Sequence, residues 1–505
     1  MKKFSKVMAL FLIFTLCITS LAACGKGKNT NNQNAGTVSG GDTKGTSEKD
    51  TSKDDKTKNP VMLKWIQIGG QPNNMDAAVK AMNEYSIGKI GVGVEFTYLD
   101  WGIWGDKVTA MINSGEKFDI MFTNGDKYSS AVSLGAFADL TDMLKDTPDL
   151  QKFVPETLWS GAKIDGKIYG VPTYKDSSQT QYWVWDKELV DKYKIDYEHI
   201  ETVDQLDPVL YKLQDEIKAG NITGTSYALT TAKDGINGFL MNYEGPFAAL
   251  GVRFDDKNAQ VVNVFEQQDI MNILTHMHKW YKDGIVNPDA ATLDQGPAWV
   301  PVSSGQGFPG SDVDWSKGRG KETVSHPFAG PLYSTGTILG SVNAVSSNSD
   351  HKAEALKYLE LCNTDPKMRN MLAYGVEGVD WTDNGDGTIT RSADCYSPAA
   401  YSQASFFTMS PVAPNSADQW TKVQEWNEKA TSSVLLGFSF DRSKVENELA
   451  ACDLILSRYK NELYTGTSDP AEVVPKLYKE LTKNGGLEKI RTEYQNQINE
   501  WLKTK

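Results

Sequence analysis

Between residues 61 and 122 the spacing of apolar side chains alternates between a period of two and a period near 3.6, and that alternation leaves few folds open. Val61–Ile68 alternates as a strand does and stops at Gly69–Gly70–Gln71–Pro72. Asn73 or Asn74 stands where it can cap a helix with Ala78, Val79 and Met82 on one face. Val92–Leu99 reads as a second strand, and residues 103–113 as a helix carrying Val108, Met111 and Ile112. Phe118–Phe122 is short and apolar, as a strand buried in a parallel sheet should be. Strand–helix–strand–helix–strand with short links is the signature of a doubly wound α/β sheet.

The rest of the chain continues in α/β style and ends in helices. Ile164–Tyr169 reads as two short strands around a tight Asp165–Gly166 turn. A strand begins near Gln181–Asp186, followed by helices over Lys187–Tyr193, Val203–Ala219 and Asp269–Asp283. Residues 299–345 are strand-rich but interrupted by glycines, and Lys352–Asn363 is helical. Near the end, Ser443 and Glu446 have capping-box spacing. Val445, Leu449, Cys452, Leu456, Tyr459 and Leu463 then follow at steps of four and three, predicting one continuous helix. Ser468–Asp469–Pro470 opens the next helix and Gly485–Gly486 closes it. Leu487, Ile490, Tyr494, Ile498 and Trp501 form the stripe of the last. From Pro60 onward the chain is long for one core and suits two or three domains.

The amino-terminal segment bears on the compartment. Lys2, Lys3 and Lys6 precede an apolar run from Val7 to Ile18, right for a signal-peptide core and too short to span a bilayer. The run ends in Leu21–Ala22–Ala23–Cys24, which resembles a bacterial lipobox. That resemblance implies removal of residues 1–23 and lipid on the thiol and new amino group of Cys24, and two or more acyl chains give a stable anchor. Residues 25–59 have no aromatic side chain and only Ala35 and Val38 as apolar ones, so they are expected to form a disordered tether. The net charge is −13, or −16 once residues 1–23, with three lysines and no acids, are gone. Such a balance argues against nucleic acid as a partner and against a surface that hugs anionic lipid. Cys362, Cys395 and Cys452 are odd in number and widely spaced, so a disulfide framework is not expected, and no CxxC pair points to zinc.

Five landmarks, in order, resemble one family: Asp100–Trp101–Gly102–Ile103–Trp104–Gly105–Asp106, Ser114–Ile120, Gly135–Leu140, Asp165–Pro172 and Ser341–Ser346. Together they look like the family 1 extracellular solute-binding proteins, the maltose-binding-protein-like class. Residues 437–501 resemble the helical tail of its LplA-like subgroup, the DUF3502 type. The resemblance implies a two-lobe periplasmic-binding-protein-like fold of type II, with crossing strands, extra C-terminal helices and ligand held in the cleft. One crossing is expected near Pro172–Lys175 and another near Tyr333–Thr337. Lobe one would then combine residues 60–172 with 336–405, and lobe two residues 173–335 with 406–505. It further implies a receptor without catalysis or cofactor, lipid-anchored on the extracellular face of the bacterial membrane. The receptor would work as a monomer and deliver an oligosaccharide to an ABC permease, touching the membrane through its lipid alone.

Ligands in open α/β sheets sit beyond the carboxyl ends of the strands, which selects loops. The first offers Gln71, the second Asp100 and Trp101, the third Asn124, Asp126 and Lys127. In the maltose-binding pattern the third loop holds sugar hydroxyls, and Asp126–Lys127 stands in the matching place, although Asp126 could equally cap the next helix. The resemblance also puts Asp176, with Lys175 beside it, and the Glu244–Phe247 segment at the cleft. Gln306 follows a predicted strand, Trp315 lies on the next loop, and Trp381 lies in another predicted loop. Carboxylates and amides satisfy sugar hydroxyls, while flat aromatic rings cover the apolar sugar faces. Trp104, Trp280 and Trp501 read as core, whereas Trp101, Trp315 and Trp381 are open to either role.

Other classes fit less well. A serine hydrolase would need Gly-x-Ser-x-Gly and a histidine partner, and the motif is missing. His276 and His278, two apart on a helix, face different ways and make a poor metal pair. Residues 380–387 superficially resemble a calcium loop but lack its spacing and closing glutamate, so a hairpin turn is expected. A cell-surface glycosidase, an adhesin, and a receptor for a peptide or polyol stay as alternatives.

Overall fold

Val61–Ile68 pairs in parallel with Val92–Leu99 on one side and Ile120–Thr123 on the other, because each is followed by a helix that carries the chain back across the sheet. The computed structural model describes residues 59–505 except Ala298, with only the backbone of Asp126. The expected signal peptide, the expected lipidation site Cys24 and residues 25–58 of the expected tether lie outside the described residues.

The first sheet has five strands in the order Val92–Leu99, Val61–Ile68, Ile120–Thr123, Val342–Val345, Gly170–Pro172. Val342–Val345 runs antiparallel to both neighbours. It therefore starts at the edge where the first three strands end, and Val342 faces both Thr123 and Pro172. Two crossings leave at that edge, and they are tied: Thr173 N–H donates to the Ser341 carbonyl at 2.9 Å, and their hydroxyls lie 2.9 Å apart. A hydrophobic core drawn from residues 63–174 and 333–404 surrounds this sheet, with Trp65, Phe122 and Tyr358 fully buried.

The second sheet runs Val302–Gln306, Gln179–Asp186, Thr323–Tyr333, Thr431–Ser432. Its core combines residues 183–302 with 445–490, around Trp183, Trp185, Phe265 and Trp280. An antiparallel three-stranded sheet, Val261–Asn263, Leu250–Arg253, Tyr243–Phe247, flanks it. The chain passes between the two cores a third time through residues 405–433, where Trp420 packs between Phe406 (4.9 Å) and Phe308 (6.0 Å). The result is an α/β molecule of two lobes joined by crossing segments.

Local expectations fare unevenly. Asp165 and Gly166 both have positive φ (51° and 78°), as the predicted tight turn requires. Residues 381–383 and 389–391 form the predicted hairpin. Asn74 occupies the N-cap but its side chain donates to Asp380 (2.9 Å) instead of capping. The Ser443–Glu446 capping box does not form. Val445 takes the N-cap, and Ser443 N–H is held by the Asp441 carboxylate at 3.0 Å. The continuous helix predicted after it is two helices, Glu446–Ser457 and Lys460–Tyr464. At the break Arg458 and Tyr459 both reach Glu480, at 2.6 and 2.7 Å. Asp312–Arg319, read as part of a strand-rich stretch, is a helix ended by Gly320 at φ 65°.

Candidate functional site

The loops on the crossing edge of lobe one form the first half of the site. Asp100 caps the helix Trp101–Ser114 by accepting from Gly102 N–H at 3.0 Å, so the helix starts earlier than its apolar spacing suggests and Trp101 becomes its first residue. Trp101 is 49% exposed. Its buried edge packs on Trp104 and Phe122, with centroids at 5.5 and 6.1 Å, and its Nε1 donates to the Tyr401 hydroxyl at 3.2 Å. One face of a fixed indole is thus left to solvent. Gln71 is exposed, Asn124 is half-buried with no capping bond, and Lys127 donates back to Thr109 at 3.2 Å. The side chain of Asp126 lies outside the described residues.

Sequence reasoning missed Tyr401. It sits in a strap, residues 399–405, with no periodicity to mark it. Buried polar side chains of lobe one hold the strap by its backbone. Ser341 donates to the Tyr401 carbonyl (3.0 Å), and Asn343 to the carbonyls of Ser402 and Gln403 (3.0 and 2.8 Å). Arg369, fully buried, donates to the carbonyls of Ser405 and Ala400 (2.6 and 3.0 Å). Burial brings that guanidinium down to about 10. Charge is committed there to ordering backbone, which explains why the Tyr401 hydroxyl is a fixed support.

At the first crossing Lys175 and Asp176 pair at 2.8 Å, both about one-fifth exposed (18% and 19%). Asn427 locks the same turn by donating to the Lys175 carbonyl (2.6 Å) and accepting from the Ser178 hydroxyl (2.7 Å).

Lobe two supplies a cavity of about 760 Å³ beside Gln179 and the strand Val302–Gln306. Its wall is the loop 229–241, together with Ser303, Ser304, Arg319 and Tyr464. The loop is held by Asn237 N–H donating to the Ser304 hydroxyl (2.7 Å) and by Gly235 and Gly238 at φ 69° and 68°. Sequence reasoning missed this wall as well. Its Asp-Gly-Ile-Asn-Gly run signals a turn, and nothing in it signals a ligand. Arg319 donates to the Ser303 hydroxyl, and burial lowers its pKa. Gln306 is exposed and accepts from Gln179 at 3.4 Å.

Three expected site residues are placed elsewhere. Trp381 is 7% exposed, in a hairpin strand, with Nε1 donating to the Gly375 carbonyl (3.2 Å), so it is core. Trp315 stands half-buried on the helix Asp312–Arg319, with its ring against Gly305 and Gly307 at the end of the strand Val302–Gln306. Its ring lies where a Cβ on Gly307 would stand (2.6 Å), and Tyr182 is edge-on at 5.7 Å. Glu244 is sunk in the hinge. Its carboxylate accepts from the Ser433 hydroxyl (2.6 Å) and Thr335 N–H (3.2 Å), and burial holds it above the usual carboxylate range.

A half-exposed indole on one lobe, a cavity of mixed polar and apolar lining on the other, and crossings between the lobes are features that suit a protein binding a solute between them. The comparisons agree. The chain belongs to the bacterial extracellular solute-binding protein family, whose profile matches residues 77–376. Residues 434–503 match a domain of unknown function, DUF3502. A carbohydrate ABC transporter substrate-binding protein of Streptococcus pneumoniae is 28% identical over 466 residues, 88% of this chain and 91% of that protein. Lipoprotein LipO of Bacillus subtilis is 23% identical over 243 residues, 46% of each. Among solved structures, the N-glycan transport solute-binding protein NgtS of Streptococcus pneumoniae matches with a TM-score of 0.79 at 26% identity, covering 88% of this chain and 99% of that one. The same protein in complex with Man1GlcNAc and Man5GlcNAc matches at 0.69 and 0.66 over the same coverage. Of these three structures, the first fits this chain better than the other two. The chain is thus an extracellular solute-binding protein and not an enzyme, as the resemblance in its sequence implies.

Proposed function

We propose that this chain is the capture component of an ABC importer and that its cargo is an oligosaccharide. The observation that carries the reading is the fixed, half-exposed indole of Trp101 on one lobe with a cavity on the other that mixes apolar side chains with Asp234, Asn237, Ser303, Ser304 and Arg319. A sugar offers an apolar face to the ring and hydroxyls to the wall. The pneumococcal relatives support it, one being a carbohydrate ABC transporter protein and the other binding Man1GlcNAc and Man5GlcNAc. Gln71, Asn124, Asp126, Lys127, Lys175, Asp176 and Gln306 rim the cleft in this reading. Ligand bridging the lobes favours the closed form, which then docks on the permease.

The mature receptor starts at Cys24, carries lipid there and works as a monomer. The relation to LipO supports the anchor, and among the described residues no helix is long and apolar enough to cross a membrane. Lobe one comprises residues 60–172 and 336–405, lobe two residues 173–335 and 406–505.

The test is thermal unfolding of the full chain in detergent against mannosyl and N-acetylglucosaminyl oligosaccharides, led by Man1GlcNAc and Man5GlcNAc, with peptides as controls. Ligand at a hundredfold over its Kd adds about 2.7 kcal/mol. Stabilisation by a glycan recovered intact is the expected result. Stabilisation by peptides alone, or a glycan recovered cut, would overturn it. Radiolabelled palmitate incorporated by the parent and lost in Cys24→Ser checks the anchor.

A further inference from the structure

Residues 434–503 match a domain to which no function is attached. Most of it does structural work within lobe two and at the hinge. The Tyr478 hydroxyl donates to the Ala249 carbonyl at 2.7 Å, Tyr494 donates to the Glu244 carbonyl at 3.2 Å, and Gln495 donates to the Ala259 carbonyl at 3.1 Å. One short piece, the helix Lys460–Tyr464, turns the other way and meets the cavity wall.

Three contacts define that meeting. Lys460 Nζ pairs with Asp234 of the wall at 2.8 Å. Gly235 passes so close that a Cβ on it would lie 2.4 Å from the Tyr464 carbonyl oxygen. The Tyr464 ring stands edge-on to Phe239 at 4.8 Å, and Tyr464 itself lines the cavity. The helix is in turn anchored behind. The Gly466 carbonyl accepts from His278 Nδ1 at 2.8 Å, and Asn461 donates to the Ala291 carbonyl at 3.2 Å.

Two of these features make little sense as stability devices. The Lys460–Asp234 pair is solvent-exposed (39% and 66%), where an ion pair contributes little. The Tyr464 hydroxyl is buried with no protein partner, so a phenylalanine there would avoid a desolvation cost. Both nevertheless sit on the loop that shapes the cavity.

We infer that this C-terminal domain is part of the ligand-binding apparatus: through the Lys460–Asp234 pair and the packing of Tyr464 on Gly235 and Phe239 it positions the 229–241 wall. The inference rests on the cavity being the lobe-two half of the oligosaccharide site. Lys460 is a positioning residue whose signature is a loss of affinity without a loss of stability.

The experiment measures Kd by calorimetry and the unfolding midpoint without ligand, on the full chain in detergent. The probe is Man5GlcNAc, or the member of the panel above that binds the parent most tightly. Lys460→Gln is expected to leave the midpoint unchanged and weaken binding about fivefold to tenfold, with Lys460→Arg restoring it. Tyr464→Phe keeps the ring against Phe239 and loses only a shielded hydroxyl, so it is expected to keep or raise the midpoint and to bind as the parent does. Parental affinity in Lys460→Gln, with the parent binding, overturns this assignment alone. A parent that binds no glycan of the panel overturns the proposed function, and this assignment with it.

Discussion

The Trp101 indole donates to the Tyr401 hydroxyl at 3.2 Å across 300 residues of sequence, and that bond sets the angle of the aromatic shelf. Trp101→Ala removes the outer half of the ring, the surface a sugar face would cover, worth roughly 1–2 kcal/mol by buried area. It also removes the inner half that packs on Trp104 and Phe122. We expect a Kd about tenfold weaker or more, with a modestly lower unfolding midpoint. Tyr401→Phe keeps the ring and loses the bond, so a smaller loss is expected. Calorimetric titration of both variants against the best-binding glycan checks this, and a Trp101→Ala protein that binds as the parent does would remove the shelf from the site.

Glu244 yields a pH dependence. Burial raises its pKa in the folded state above its unfolded value, although Ser433 and Thr335 donate to it and Lys505 faces it. A carboxyl with a raised folded pKa contributes its full stability below the unfolded pKa, near 4.3, and loses it as pH rises through the folded pKa. Glu244→Gln stays neutral throughout and keeps an acceptor for Thr335. Its unfolding midpoint should therefore match the parent near pH 4 and exceed it at pH 8. A variant less stable than the parent at pH 8 would mean that the ionised carboxylate holds the hinge.

The first sheet was legible because its strands and helices follow the two simple periods, and the helix over Trp101–Ser114 differs only by the Asp100 cap. The site was less so. Trp101 was readable because it follows a strand end. Tyr401 and the 229–241 wall were not, since each is brought to the site by contacts over hundreds of residues and by backbone hydrogen bonds that leave no periodic trace. Trp381 and Trp315 misled for a related reason. Loop-like sequence around a tryptophan does not say whether a hairpin will bury it, as with Trp381, or a helix will carry it half-buried against glycines, as with Trp315. Glu244 has the segment resemblance expected of a cleft residue, but Ser433 and Thr335 draw its carboxylate into the hinge.

Thiol reactivity separates the three cysteines of the folded body, all of which are free. Cys362 and Cys452 are fully buried. Burial pushes the first thiol up and the second up to about 11, where almost none is thiolate at neutral pH. Cys395 is partly exposed. In a chain carrying Cys17→Ser and Cys24→Ser, Ellman's reagent should modify one thiol per molecule in the native state and three in denaturant. Three fast thiols in the native protein would contradict the packing of both helices.

The C-terminal helices also bear on cooperativity. Tyr478, nearly buried, donates to the Ala249 carbonyl at 2.7 Å and accepts from Phe265 N–H at 3.1 Å, so one hydroxyl satisfies two backbone groups of the flanking sheet and its neighbour. Tyr478→Phe keeps the ring's packing and strands the Phe265 N–H, while the Ala249 carbonyl keeps its bond from Val264 N–H (3.1 Å), at a cost of about 1–3 kcal/mol. If residues 434–503 were an appendage, that loss would appear as a separate early transition. Because Leu449, Leu477 and Ile490 share one core with Trp183 and Trp280, the loss should instead move the main transition of lobe two to lower urea with its slope unchanged. Urea titration followed by tryptophan fluorescence reads the difference, because Trp183, Trp185 and Trp280 all report on that core. A new transition that leaves the tryptophan signal in place would make the tail an independent unit and weaken its assigned role at the cavity wall.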